Sequence, residues 1–496
     1  MTARINKREF FASLPPVWPE ELLPRIRAEM ARTHRKVVVL DDDPTGTQTV
    51  RDIPVLTSWS HEELVREFAN ELPCFYILTN TRALPMAEAV QINQKIACNL
   101  MKAVQSLPGR SDFVVVSRSD STLRGHFPAE TDALGKVLWG GDRMPPVLLV
   151  PYFEAGGRYT VGDVHFVAEG GELIPAAETP FARDAVFGYR NSDLRAWVEE
   201  KTGGAVRATD VKSISIDDLR VAGPDVVKAK LLALRHGEVC IANAAAPRDL
   251  EVLAWAALQT ENAGARLLYR TAASFVAARI GLSPDTLWRP SLSRLFALVP
   301  SDANRNDARG GLIIVGSYVP KTTVQLEMLV RDGLVHPVEI SVAAIMSPAQ
   351  RGPELSRVAR QTNAALQAGR DVVVFTSRRL VTGDNAETSL AIGKQVSAAL
   401  VELLQRIETR PRYLIAKGGV TSSDLATRGL GVKRALVLGQ ILPGVPVWEL
   451  GPETKYPGMP YVVFPGNVGE PNALREVVRK FQMAFDQATA SLKNAG

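Results

Sequence analysis

Cysteine is scarce in this 496-residue chain: Cys74, Cys98 and Cys240 are three in number and far apart. That spacing excludes a disulfide framework. It fits a reducing cytoplasm in which the thiols pack as small hydrophobes. Histidine is nearly as rare, with six residues and no His/Cys/Asp cluster at structural-zinc spacing. Aromatic residues make up 6% of the chain, and the 58 basic residues are dispersed among 53 acidic ones for a formal charge of +5. Without a basic block or a stacking platform there is no nucleic-acid footprint. No uncharged apolar run is long enough to span a bilayer, and the first thirty residues carry charge throughout rather than a signal core. Two nucleotide fingerprints are missing as well. The stretch Gly316-Ser317-Tyr318-Val319-Pro320-Lys321-Thr322-Thr323 lacks the glycine spacing and the Gly-Lys-Ser/Thr ending of a P-loop. Nor do three spaced glycines follow any strand-like run.

What is present is an ordinary globular composition, 46% apolar and 22% charged, in a chain too long for one core. Residues 1–33 read as an N-terminal helical extension, with a helical patch from Glu20 to Arg32, expected to dock on the main body. From 34 to 281 short apolar runs alternate with helical stretches. Strands are expected at Lys36–Leu40, Cys74–Leu78, Phe113–Ser117, Val147–Val150 and Val239–Ala242. Helices are expected at His61–Asn70, Met86–Ser106, Phe127–Trp139 and from Asp249 to Thr260. The polar, proline-containing stretch 282–309 reads as a linker. Beyond it, 310–496 repeats the pattern, with strands at 311–315, Asp371–Thr376, Tyr413–Lys417 and Tyr461–Phe464. Alternating strand and helix predicts α/β architecture: two three-layer α/β domains with largely parallel sheets.

Ligands in such sheets sit beyond the carboxyl ends of the strands, so the loops there matter most. The first strand runs into Asp41-Asp42-Asp43-Pro44-Thr45-Gly46-Thr47. Three adjacent carboxylates repel one another when buried, unless some accept hydrogen bonds or meet a cation. Gly46 lets Thr45 approach a ligand; a capped helix start is the plainer reading of the same residues. The second strand leads to Asn80 and Arg82, the latter able to grip a carboxylate with two prongs. The third leads to Arg118, Asp120, Ser121, Thr122, Arg124 and His126, which suit a small, hydroxylated anion. The fourth leads into a flap-like loop carrying Arg158. In the second half, Ser317 after one strand, Gly418-Gly419-Val420-Thr421 after another and Gly466 after a third place backbone donors and hydroxyls where phosphate oxygens could sit.

Together these motifs resemble the four-carbon acid sugar kinases. The likeness rests on Asp42-Asp43-Pro44-Thr45-Gly46, Asp120-Ser121-Thr122-Leu123-Arg124-Gly125, Gly316-Ser317 with Lys321-Thr322 and Gln325, and Gly418-Gly419-Val420-Thr421-Ser422. It extends over roughly 36 to 485. The Ser-Thr-Leu-Arg-Gly run is its most specific piece. The resemblance implies an N-terminal domain for the sugar acid, a C-terminal domain for the nucleotide, and an active site in the interdomain cleft. It implies ATP and Mg²⁺ as cofactors and a terminal hydroxyl of threonate, erythronate or a 3-oxo relative as acceptor. Asp42, Asp43 and Arg124 are the expected catalytic residues. Thr45, Gly46, Asn80, Arg82, Arg118, Asp120, Ser121, Thr122 and Arg158 are expected on the sugar acid; Ser317, Gly418, Gly419, Val420, Thr421 and Gly466 on ATP. Pro44 and Thr47-Gln48-Thr49 depart from the common family pattern, so the acceptor is left open. The alternatives are a nucleotide-independent hydrolase or aldolase using Asp120 and His126, and a non-catalytic sensor of the same ligands. A cytoplasmic homodimer acting on a small molecule is the default expectation.

Overall fold

A run such as Val37-Val38-Val39-Leu40 is stable only where both faces of a strand are covered, and in the computed structural model all of Lys36–Asp41 is buried. The structure describes residues 5–107, 112–283, 309–378 and 386–493. It divides into two units. One comprises Met1–Ile53 and Ser58–Thr286, the other Pro54–Thr57 and Leu287–Gly496. Most of the stretch expected as a linker, 284–308, lies outside the described residues.

The early strands are β1 (Ile5–Asn6), β2 (Lys36–Asp41), β3 (Ile53–Leu56), β4 (Cys74–Leu78), β5 (Phe113–Arg118) and β6 (Val147–Val150). They are followed by β7 (Arg158–Val161), β8 (Val164–Glu169), β9 (Glu172–Pro175), β10 (Lys212–Ile214), β11 (Val239–Ala242) and β12 (Leu268–Thr271). In the first unit seven of them form a parallel sheet in the order β10-β11-β6-β12-β5-β2-β4. The register sets Asp41 opposite both Leu78 and Arg118, so the carboxyl ends of β2, β4 and β5 lie level. Helices Met86–Gln105, Ala129–Trp139 and Pro247–Asn262 connect the strands; the first buries one stripe, whereas the last is covered on all sides.

A second, antiparallel sheet, β1-β9-β8-β7, lies outside the sequence expectation, which had only a loop there. It carries Arg158 on its first residue position in β7. The N-terminal extension reaches it: β1 pairs with β9, and Phe11 packs edge-on against Tyr159 with centroids 4.9 Å apart. Farther on, the Arg248 guanidinium donates to the Glu20 carbonyl (2.7 Å), and Ile26 and Met30 of helix Leu23–Thr33 are buried.

The second unit holds β13 (Leu312–Val315), β14 (His336–Ile340), β15 (Val372–Thr376), β16 (Leu414–Lys417), β17 (Arg434–Leu442), β18 (Val445–Leu450) and β19 (Pro460–Phe464). Strands β19-β16-β13-β15-β14 are parallel neighbours, and β17 and β18 extend the sheet antiparallel. Pro54–Thr57, inside the stretch expected for the first domain, groups with this unit. Thr57 N–H donates to the Lys433 carbonyl at 2.9 Å. Ile313, Ile415, Val462 and Phe464 meet Leu474, Val477 and Phe481 of helix Ala473–Lys493 in the core. Cys74, Cys98 and Cys240 are free thiols. No described helix is long and apolar enough to cross a membrane.

Candidate active site

In the first unit the ends of β2, β4 and β5 converge on one chain of charges. Arg118 pairs with Asp41 (2.9 Å) and lies 3.6 Å from Asp42. Arg82 binds Asp43 closely, reaches Asp120 at 3.3 Å and lies 3.9 Å from Asp42. Asp120 also accepts from Arg124 Nε at 2.8 Å, and Arg124 extends to Asp184 at 3.6 Å. Asp42, Asp43, Arg82, Arg118, Asp120 and Arg124, expected at the site from the sequence, therefore form one network. Its anchoring is backbone: the Asp42 carbonyl accepts from Arg82 N–H and the Asp41 carbonyl from Thr79 N–H.

The turn after β2 is shaped by its own side chains. Thr45 donates through both N–H (2.9 Å) and hydroxyl (2.5 Å) to Asp43 Oδ1. Gly46 opens a single 3-10 turn, and a Cβ there would lie 2.1 Å from Asp41 Oδ2. Only glycine leaves Asp41 room to face Arg118. Asn80 and Leu123 both adopt left-handed backbone (φ 53° and 69°), a conformation that costs a leucine ~1–2 kcal/mol and that clusters at ligand sites. Thr122 Oγ1 donates to Asp120, and the Ser121 carbonyl accepts from His165 Nε2 at 2.8 Å. Burial pushes His165 down to about 4, so its neutral ring serves as a brace.

The three aspartates diverge electrostatically. Burial raises Asp41 to about 7 although Arg118 pulls it back, and the charges of Asp42 and Asp43 add to the rise. Burial likewise raises Asp42, to about 6, against the attraction of Arg82 and Arg118. Asp43, partly open to solvent, is held below its ordinary value, against the opposing effect of desolvation, by Arg82, Arg118 and Thr45. Despite its burial Asp120 is pressed lower still by Arg82 and Arg124. Both oxygens of Asp42 are buried without a hydrogen-bond partner, as is Arg82 Nη1.

Arg158 joins from the antiparallel sheet. It and Arg124 lie over the Phe181 ring, each 5.3 Å from its centroid. Arg158 Nε is buried without a partner, and burial depresses its pKa. The sequence reading missed Arg270 of β12, which donates to Ser117 Oγ and pairs with Glu130, both at 2.8 Å. Glu130 in turn accepts from Thr81 at 2.5 Å. The run Leu268-Tyr269-Arg270-Thr271 has no apolar stretch to announce a central strand; its arginine is tolerated because Glu130, on a distant helix, meets it.

In the second unit the loops after β13, β16 and β19 come together. The Gly418 N–H donates to the Phe464 carbonyl (2.8 Å), and Ser317 N–H to the Lys417 carbonyl (3.3 Å). Thr322 Oγ1 joins the Gly466 carbonyl (2.8 Å) to Ser317 Oγ (3.3 Å). Gly418 has φ 125°, and a Cβ on it would come within 3.1 Å of both Ser317 Cβ and Thr421 Oγ1. Gly419 opens the short helix Gly419–Asp424, Thr421 is buried and Val420 projects outward. Ser317, Gly418, Thr421 and Gly466 thus lie together at these strand ends, with Gly419 beside them at the start of the short helix.

Comparison with known proteins follows the same division. Residues 37–279 match a sugar-binding N-terminal domain and residues 312–474 a nucleotide-binding C-terminal domain. A D-erythronate kinase from Heliobacterium modesticaldum is 24% identical over 331 residues, 65% of this chain, and the match spans 66% of that protein's length. A solved protein from Salmonella typhimurium LT2 has a TM-score of 0.61 at 18% identity, over 90% of this chain and 99% of that one. A Haemophilus influenzae protein from a family of unknown function has a TM-score of 0.57 at 16% identity, over 89% and 98%. At those identities the two structures speak for the fold alone. From the paired domain models and the kinase relative, the chain belongs to the four-carbon acid sugar kinase family.

Proposed function

We propose that this protein transfers the γ-phosphoryl group of ATP to a terminal hydroxyl of a four-carbon sugar acid of the threonate, erythronate or 3-oxo-tetronate type. The observation that carries the reading is Asp42, a carboxylate buried among arginines with neither oxygen hydrogen-bonded. Leaving such an acceptor unmet costs ~1–3 kcal/mol, and a substrate hydroxyl is the donor that would meet it. Asp42 then orients the hydroxyl and accepts its proton. Asp43, spent on Arg82 and Thr45, holds the arginine in place. Arg158 and Arg124 receive the acid's carboxylate, while Arg82 and Arg118 offset the charge of the carboxylates and of the moving phosphoryl. Thr45, Gly46, Asn80, Ser121 and Thr122 shape the pocket around the acid.

On the nucleotide side, the Gly419 N–H and the hydroxyls of Ser317 and Thr421 cradle the phosphates, while Gly418, whose own N–H is tied to the Phe464 carbonyl, and Gly466 leave them room. Mg²⁺ arriving with the nucleotide would supply neutralisation of phosphate charge. Among the described residues no group of three His, Cys, Asp or Glu side chains is arranged to hold a metal by itself. Phosphoryl transfer asks chiefly for placement and electrostatics, which this inventory provides.

A hydrolase or aldolase would need Asp120 and His126 as free acid and base. Asp120 is instead tied to two arginines, and His126 Nε2 faces the carbonyls of Thr81 and Leu84. Coupled ADP release across a panel of four-carbon acids with Mg²⁺ and ATP tests the proposal and separates an enzyme from a sensor. At least one acid should stimulate turnover, and Asp42→Asn should cut kcat by about 10²–10⁴-fold while nucleotide binding persists. No stimulation by any acid defeats the kinase reading; full rate in the Asn variant removes Asp42 as the base.

A further inference from the structure

Four neighbouring parallel strands of the second unit carry the loops proposed for the nucleotide or lie beside them: β19, β16, β13 and β15. Three of them supply the glycine and serine loops already described. The fourth, β15, ends at Thr376 and continues into Ser377 and Arg378. Arg378 turns toward its neighbour strand: Nη2 donates to the Ser317 carbonyl at 2.8 Å and to Thr323 Oγ1 at 3.0 Å. Its other two nitrogens, Nε and Nη1, are buried and have no hydrogen-bond partner. Burial lowers its pKa, and among the described residues Glu327 is the carboxylate that acts on it electrostatically. No ion pair compensates it within the described residues.

A guanidinium pinned at Nη2, with its Nε and Nη1 hydrogens buried and unmet on opposite sides of the group, still has donors for an anion to meet. Leaving donors buried and unmet is costly, so the arrangement makes sense when a ligand completes it. The neighbouring Lys417 is already engaged. Its Nζ donates to the Pro465 carbonyl at 2.7 Å and lies 3.7 Å over the Phe464 ring, which ties two loops together.

We infer that Arg378 is a phosphate-binding residue of the nucleotide site, its unmet Nη1 hydrogens donating to phosphoryl oxygen beside Ser317. The inference rests on the nucleotide reading of the second unit and extends it to a residue which that reading did not include. It commits Arg378 to phosphate rather than to adenine or ribose.

Calorimetric titration of the full-length protein with ATP, ADP, adenosine and inorganic tripolyphosphate tests it. Arg378→Gln should weaken ATP, ADP and tripolyphosphate by at least about tenfold, the loss expected for a charged hydrogen-bonding group, and leave adenosine unchanged. Arg378→Lys, which keeps the charge without the guanidinium donors, should fall between. Equal affinity for ATP in the Gln variant and the wild type overturns the assignment. So does a parallel loss of adenosine and ATP in both variants, which would mark Arg378 as structural or base-binding. Wild-type protein that binds neither ATP nor adenosine would instead bring down the nucleotide reading itself, and the role of Arg378 with it.

Discussion

Adjacent aspartates with opposite tendencies divide labour at the strand end. Asp43 is stabilised as an anion and fixes Arg82; Asp42 is buried, unpartnered and raised to about 6. A base works only as the carboxylate, so protonation below that value removes it. We expect kcat/KM to be level above about pH 6 and to fall with unit slope below it, measured with saturating Mg²⁺ and ATP between pH 5 and 8. The residual rate of Asp42→Asn should lack this limb; a limb unchanged in the variant would assign the titration elsewhere. The sequence announced this site because it is local: Asp42, Asp43, Arg82, Asp120 and Arg124 all sit within a few residues of apolar runs. Arg270 was silent because its meaning lies in Glu130, 140 positions away in the chain. Arg378 was silent because nothing in Thr376-Ser377-Arg378 departs from an ordinary strand exit.

Among the elements, the antiparallel sheet is the one that joins extension to site. Successive residues of a strand face opposite sides, so Arg158 turns toward Phe181 while Tyr159 meets Phe11. Lys7 Nζ adds a hydrogen bond to the Tyr159 hydroxyl at 2.8 Å. An edge-on aromatic pair contributes about 0.5–1.5 kcal/mol beyond its buried area. Phe11→Ala should therefore loosen β7 and raise KM for the acid several-fold, with KM for ATP unchanged in steady-state assays. No change in either constant would confine the extension to a scaffolding role. Most of the fully buried parallel strands were legible in the sequence as apolar runs, β12 being the exception. Strands β7–β9, β14, β17 and β18 were not. Their residues alternate or mix with polar ones, and β14 even carries Pro337, which an edge strand of a sheet tolerates.

Stability of the whole molecule carries its own electrostatic signature. Burial, with some help from Lys321, pushes Lys417 down to about 6, although the Phe464 ring favours its cation. Between about pH 6 and 10.5 the unfolded chain thus holds a proton at this side chain that the folded protein does not. The unfolded state binds more protons, so stability rises with pH across that window, by at most about 1.4 kcal/mol per unit from this group. Thermal melts from pH 7 to 9 should show a steeper climb for the wild type than for Lys417→Met. Identical slopes would mean that the ammonium stays charged in place. The opening strand β1, finally, does more than lengthen a sheet. It caps the outer rim of β9, where Leu173 is fully buried and Lys7 N–H donates to the Gly171 carbonyl. Stripped of that cover, β9 would offer bare amides and carbonyls to any passing chain, the usual invitation to clumping. Ile5 and Asn6 therefore act as a built-in bumper, and losing them would leave that rim open to other chains.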